Sequence, residues 1–157
     1  MERSVKRFRV VLAADHGGVE LKEELAEFLK THGVPVRDLG TGTPDPVDYP
    51  DYGFAAAEEV RSGRADRAVL LCKSGIGMAI AANKVAGIRA ARAESVEEAE
   101  LSRRHNDANV LVISALGTPM EKAFRIVEAW LAAPFDGGRH SRRIDKIRRY
   151  EEAHWKE

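Results

Sequence analysis

The chain has 157 residues, a length suited to one domain, and 44% of them are hydrophobic, set in short and well-separated apolar runs. That pattern describes a globular core and excludes a disordered chain. Lys plus Arg and Asp plus Glu are 25 each, so the net charge is zero and gives no bulk reason to expect nucleic acid or an anionic membrane as partner.

No apolar stretch approaches the roughly 20 residues that span a bilayer. The single cysteine excludes an internal disulfide and fits a reducing, cytoplasmic location. The start, MERSVKRFRVVLAAD, is basic, then apolar, then Ala-Ala, as in a secretory leader. Arg9 interrupts the run and Asp15 follows at once, so residues 1–7 read as a disordered basic start. Residues 8–157 read as a single domain that ends in a helix.

Strand and helix patterns then alternate. Phe8–Ala14 is a continuous apolar run, as a buried parallel strand requires. Val19–Thr31 sets Leu21, Leu25, Phe28 and Leu29 at helical spacing, and His32-Gly33 stops it. Val34–Leu39 predicts a second strand. Gly40–Pro50 holds three of the six prolines and predicts a loop. Asp51–Arg61 predicts an Ala-rich helix, and Asp66–Cys72 a third strand. A glycine turn over Lys73–Gly77 leads into a helix from near Ile76 to about Val85. Ile88–Ala93 predicts strand four, Val96–Arg104 a helix, and Val110–Ser114 strand five. Thr118–Ala133 predicts a helix with Ala123, Ile126, Val127 and Trp130 on one side. Gly137-Gly138 breaks it before a basic helix that runs to the end. Five strands separated by helices imply an α/β fold with a mainly parallel sheet covered on both faces. Sites on such sheets lie beyond the C-terminal ends of the strands.

Strand one ends in Asp15-His16-Gly17-Gly18. The glycines permit a tight turn and close approach of a ligand at a helix N-terminus, where anions are favoured. The alternative is an Asp cap with a surface His. Strand three ends in Cys72-Lys73-Ser74-Gly75-Ile76-Gly77. Successive amides there suit an anion-binding nest, and a cysteine beside a helix N-terminus and a lysine gains thiolate character. The alternative is a buried strand-end thiol before an ordinary turn. A cysteine-dependent phosphatase would need an arginine at the end of this loop, where the chain has Met78.

His105-Asn106-Asp107 closes the fourth helix, offering either a proton shuttle or a partner for the helix dipole. Arg139 and Arg143 are four apart on the last helix and share a face, which suits a phosphate or a solvated basic surface. The Asp48-Tyr49 pair is either turn and packing or a substrate wall.

Taken in order, these segments resemble the type B ribose-5-phosphate isomerases, a family that includes the galactose-6-phosphate isomerase subunits. The resemblance is carried by Ala14-Asp15-His16-Gly17-Gly18, Asp48-Tyr49-Pro50, and Cys72-x-Ser74-Gly75-Ile76-Gly77. It continues through Ile80–Lys84, Gly87–Ala90, Ser102-Arg103-x-His105-Asn106-Asp107-x-Asn109-Val110, Gly137-Gly138-Arg139-His140 and Arg143. It implies a Rossmann-like three-layer α/β/α sandwich and metal-independent aldose–ketose isomerisation of a phosphorylated sugar, without a cofactor. Ribose 5-phosphate and ribulose 5-phosphate are the default pair.

Carried to matching positions, the resemblance implies that Cys72 is the base that moves the proton, with Ser74 serving the substrate oxygens. The backbone from Ser74 to Gly77, including Gly75, stabilises the enediolate, and His105 assists ring opening. Asp15 and Asn106 bind sugar hydroxyls. His16, Arg139 and Arg143 hold the phosphate, with His140 close by and Tyr49 as a substrate wall. It further implies a homodimer or homotetramer with sites shared between subunits.

Two positions depart from the family pattern. Lys73 stands where Gly is usual, and Leu116 where many ribose-5-phosphate enzymes carry Arg. These leave room for a tetrulose or hexose phosphate as substrate. The same crevice would also serve a non-catalytic sugar-phosphate or nucleotide-binding module, and the same fold a structural subunit supporting an active paralogue.

Overall fold

The computed structural model of the chain describes residues 7–155. The basic start expected over residues 1–7 thus lies, for residues 1–6, outside the described residues.

The first strand, β1 (Val10–Ala14), follows from an unbroken run of small and branched apolar residues, all buried. Helix α1 (Val19–Thr31) buries Leu21, Leu25 and Leu29 along one stripe, with Glu and Lys between them, and ends where His32 caps it and Gly33 takes a positive φ. The remaining elements are β2 (Val36–Asp38), α2 (Tyr49–Arg61), β3 (Arg67–Cys72), α3 (Ile76–Ala82), β4 (Ala90–Arg92), α4 (Val96–Asn106), β5 (Val110–Ser114), α5 (Met120–Ala132) and α6 (Arg139–His154). The edge strands β2 and β4 keep only three residues each, shorter than their apolar runs suggested, because each pairs along one side alone. Tyr49 opens α2 rather than belonging to the preceding loop, and α3 stops at Ala82, earlier than Val85.

The strands form one sheet in the order β2-β1-β3-β5-β4, and each pair is parallel. Side chains alternate across it, as the two-residue strand period demands. Val10, Leu12, Val69, Leu71, Leu111 and Ile113 pack with α1 and α5 around Leu25, Ile126 and the fully buried Trp130. Val11, Ala13, Leu70, Cys72 and Val112 pack with α2 and α3 around Ala56, Met78 and Ala82. This is the three-layer α/β/α sandwich. Helices α2 and α3 approach closely because Gly53 lacks a side chain, since a Cβ there would lie 3.2 Å from Met78 Sδ.

The order places a topological switch between β1 and β3, because the chain leaves β1 toward β2 and leaves β3 toward the other edge. A crevice opens beyond the strand ends at such a point. Gly18 permits the tight junction of β1 and α1, since a Cβ there would fall 2.9 Å from Leu71 Cβ and 3.1 Å from Ala14 Cβ.

Candidate active site

Asp15 follows one of the two strands that flank the switch point, and Cys72 ends the other. Ala14 pairs with Leu71 in register, and the Asp15 amide donates to the Leu71 carbonyl at 3.2 Å. The Asp15 carboxylate is buried, and its Oδ1 accepts from the Gly17 amide at 2.9 Å. It therefore braces the turn and does not cap α1, whose N-cap is Gly18. His16 Nδ1 accepts from the Val47 amide at 3.2 Å, which ties the proline-rich loop to this edge. With Nδ1 accepting, the ring proton sits on Nε2 and is available to a ligand.

Cys72 is the last residue of β3 and only 4% exposed, and its neighbours Lys73 and Ser74 are exposed. The Gly75 amide donates to Cys72 Sγ at 3.2 Å, and the Ile76 amide donates to Ser74 Oγ at 3.2 Å. Two amides of the expected nest are thus turned onto the loop's own side chains. The Gly77 amide lies in the first turn of α3, where no intrahelical acceptor exists. Gly75 has a φ of +78, a conformation that favours glycine. The loop is fastened to the next strand: Ser114 Oγ donates to the Lys73 carbonyl at 2.8 Å, and the Leu116 amide donates to the same oxygen at 3.1 Å.

Tyr49 lies flat against Gly77. A Cβ on Gly77 would meet Tyr49 Cζ at 2.6 Å and Cε2 at 2.7 Å, so glycine is what admits the ring. Tyr49, Ile76, Ile80 and Leu116 are all substantially exposed and form an apolar rim around this edge.

His105, Asn106, Arg139, His140 and Arg143 lie elsewhere. Helix α4 begins after β4 and ends just before β5, so its last turn lies at the N-terminal edge of the sheet. Val110 there pairs with Ala68, whereas Cys72 pairs with Ser114 at the opposite edge. Four strand residues separate these levels, about 13 Å at ~3.3 Å per residue. His105 stacks on the buried His140 with ring centroids 4.3 Å apart and planes 10° from parallel. Arg139 and Arg143 are exposed on the first turns of α6 beside them. The predicted residues therefore divide into two constellations at opposite ends of one subunit.

Burial holds the His140 imidazole below the ordinary histidine value. His105, Arg139 and Arg143 push in the same direction, and Asp136 opposes them. His105, Asp136 and His140 bring their ligand atoms within 4.8 Å of one another. The parallel stacking of the two rings sends their in-plane lone pairs side by side rather than to a common point, which does not suit a tetrahedral metal.

Residues outside the predicted set secure both ends. Arg89 binds the last turn of α4, donating from Nε to the Asn106 carbonyl at 2.9 Å and from a terminal nitrogen to the Asp107 carbonyl at 2.9 Å. Asn109 Oδ1 accepts from the Arg89 amide at 2.8 Å. Arg92 reaches the Cys72 loop, donating from Nε to the Ser74 carbonyl at 2.7 Å. Such cations near a helix end or a turn are ordinary in sequence, and only their remote partners distinguish them. Two open cavities, of about 1070 and 580 Å³, flank α6, and neither is lined by Cys72 or Asp15. No described helix is long and apolar enough to cross a membrane.

Residues 10–147, which hold this α/β/α sandwich and its strand-end thiol, match the family described as Ribose/Galactose Isomerase, and the chain belongs to that family. It is 42% identical over 139 residues to ribose-5-phosphate isomerase B of Escherichia coli, covering 88% of this chain and 93% of that protein. Its fold matches ribose-5-phosphate isomerase B of Clostridium thermocellum with a TM-score of 0.91 and 46% identity, covering 93% of this chain and 99% of that one. The Mycoplasma genitalium enzyme, solved with bound ribulose-5-phosphate, matches with a TM-score of 0.89 and 42% identity, covering 93% and 97%.

Proposed function

We propose that the chain interconverts ribose 5-phosphate and ribulose 5-phosphate by proton transfer through an enediolate, with Cys72 as the base. The observation that carries this reading is the single thiol at the switch point, under the Gly75 amide and one strand away from the Asp15 carboxylate. Ribulose-5-phosphate bound in the Mycoplasma genitalium relative supports the substrate.

The aldose enters with C2 facing Cys72 Sγ. The thiolate takes the C2 proton, and the electron pair moves into a C1–C2 double bond while negative charge collects on O1. Ser74 Oγ already accepts from Ile76, which leaves its own proton to donate to a substrate oxygen. With the Gly77 amide it stabilises the enediolate; one preorganised donor of this kind contributes roughly a hundred- to a thousandfold in rate. Cys72 returns the proton to C1 as a hydroxyl proton moves from O2 to O1, giving the ketose. Asp15 binds a sugar hydroxyl, Tyr49 forms a wall, and His16 Nε2 donates to the phosphate.

The second constellation completes the site from another copy. His105 opens the sugar ring with His140 stacked against it, Asn106 binds a hydroxyl, and Arg139 and Arg143 clamp the phosphate. The separation of the two groups within one subunit and the apolar rim of Tyr49, Ile76 and Ile80 support a homodimer as the smallest working unit, with residues 8–157 as one catalytic domain; the single cysteine fits a cytoplasmic location.

Lys73 makes no hydrogen bond or ion pair through its ammonium among the described residues, whereas Arg92 is engaged by Ser74 and Glu94. The Leu116 amide bonds the Lys73 carbonyl, so the two departures from the family pattern are joined through the backbone, while the Lys73 side chain runs past Gly17, where a Cβ would lie 3.0 Å from Lys73 Cγ.

Deuterium exchange at the carbon beside the carbonyl, followed with a panel of sugar phosphates in deuterated water, tests the reading. Exchange is expected with ribose 5-phosphate, is lost in Cys72→Ala and is insensitive to chelator. Exchange that survives Cys72→Ala rejects the base. Exchange confined to a tetrulose or hexose phosphate keeps the base and reassigns the substrate, the outcome that Lys73 and Leu116 favour over other rivals. Thermal stabilisation by ligand without exchange makes the chain a binding module.

A further inference from the structure

We infer that Arg92 is a positioning residue for the thiol: through the Ser74–Gly75 peptide it orients and polarises the amide that donates to Cys72 Sγ. This inference rests on Cys72 acting as the base. A trans peptide sends its carbonyl oxygen and its N–H in opposite directions. The Ser74–Gly75 unit is held at both ends. Its oxygen accepts from Arg92 Nε at 2.7 Å, and its N–H donates to Cys72 Sγ at 3.2 Å. Guanidinium, peptide and sulfur therefore form one chain of hydrogen bonds with the cation at the far end. A charge-assisted bond to the oxygen draws electron density from the amide and strengthens its N–H as a donor. The sulfur feels that gain most when it carries negative charge.

The contact is built into the fold. A Cβ on Gly75 would lie 3.2 Å from Arg92 Nε, 3.4 Å from Arg92 Cδ and 3.3 Å from the Ser114 amide. The glycine thus serves the close approach as well as its positive φ. Arg92 is held from behind by Glu94 Oε1 at 2.6 Å. Glu94 is fixed in turn, because its amide donates to Glu98 Oε2 at 2.6 Å and Ser95 Oγ caps the same helix by accepting from the Glu98 amide at 3.1 Å. The start of α4 thereby braces the Cys72 loop from β4, two strands away from β3.

The test compares Arg92→Met and Arg92→Lys in the full chain by Gly75 amide exchange in NMR, by kcat and KM separately, and by the isotope effect with C2-deuterated substrate. In Arg92→Met, Gly75 exchange is expected to accelerate about tenfold, and kcat to fall roughly three- to tenfold with KM within about twofold. The isotope effect on kcat should rise as proton transfer becomes the slower step. Arg92→Lys keeps a cationic donor and should restore kcat to within about threefold of the parent. A folded Arg92→Met with unchanged Gly75 exchange and kcat overturns the inference, as does a loss confined to KM. If Arg92→Met fails to fold, Glu94→Gln reads the same chain of contacts with the Arg92 stem intact. A decrease in kcat of roughly twofold supports the relay, and no change overturns it. Activity in Cys72→Ala would sink the base assignment instead, while Gly75 exchange still reports on the relay independently.

Discussion

Gly77→Ala separates stability from function at the substrate wall. The new Cβ would sit 2.6, 2.7 and 3.0 Å from three atoms of the Tyr49 ring, against the ~3.5–4.0 Å of an ordinary carbon contact. The ring must therefore retreat by about 1 Å. It has somewhere to go, because Tyr49 is 41% exposed and the colliding atoms are at the free end of the side chain. Gly77 lies within α3 and has no positive φ, so alanine gains up to about 1 kcal/mol of helix preference, offset by a similar loss of ring contact. The net stability change stays within about 1 kcal/mol, a shift in Tm of roughly 2–4 °C at most for a chain of this size. A wall displaced by ~1 Å is another matter, since misplacement of that order costs up to about a hundredfold. The expected result is kcat/KM lower by about ten- to a hundredfold in an isomerisation assay, with a thermal melt close to the parent. Parental kinetics at unchanged Tm would refute Tyr49 as a wall. A melt lowered by more than about 8 °C would refute the claim that the ring yields.

Gly18→Ala has no such escape, because its Cβ would strike Leu71 Cβ, Ala14 Cβ and the Leu71 carbonyl carbon; it should cost about 1–3 kcal/mol, read as a lower urea midpoint at unchanged m-value. Lys22 is 0% exposed and its Nζ lies 2.5 Å from Asp38 Oδ2, so Asp38→Ala strands a buried ammonium and should cost about 2–4 kcal/mol, discounted because Asp38 is 34% exposed. Lys22→Met should cost less, since it removes the buried charge and leaves Asp38 facing water; an equal or greater loss on denaturation would contradict the desolvation argument. The depressed His140 value makes the unfolded chain bind more protons than the native one below pH 6.5. Stability should therefore fall as pH drops from 6.5 to that lower value and level off beneath it. His140→Asn should remove this component from a plot of Tm against pH, and an unchanged slope would show that His140 does not titrate as described.

Much of the fold was readable because strand burial and helix amphipathicity write different periods into the chain. Val110–Ser114 matched to the residue, with all five positions buried and turn residues on either side. The edge strands shrank because burial alone does not show where ladder bonds stop. The Asp15 and Cys72 segments were legible from glycines that follow strand ends. Strand order was not, because it depends on which apolar faces meet across the crossovers. The division of the predicted residues did have a signal: His105 and Asn106 immediately precede a parallel strand, and such a position belongs to the sheet edge opposite Cys72. Arg92 was invisible, and Arg89 entered only within the Gly87–Ala90 motif with no role of its own, for a different reason. Their partners, Ser74 and the end of α4, are 17 or 18 residues away along the chain and meet them only through the sheet.

The placement of thiol and imidazole at opposite ends of one subunit has a genetic consequence. On the proposed reading, a Cys72→Ala chain and a His105→Ala chain are each inactive alone. When the two are co-folded, half of the sites in every mixed pair unite two intact halves, so a mixture of two dead proteins should regain activity.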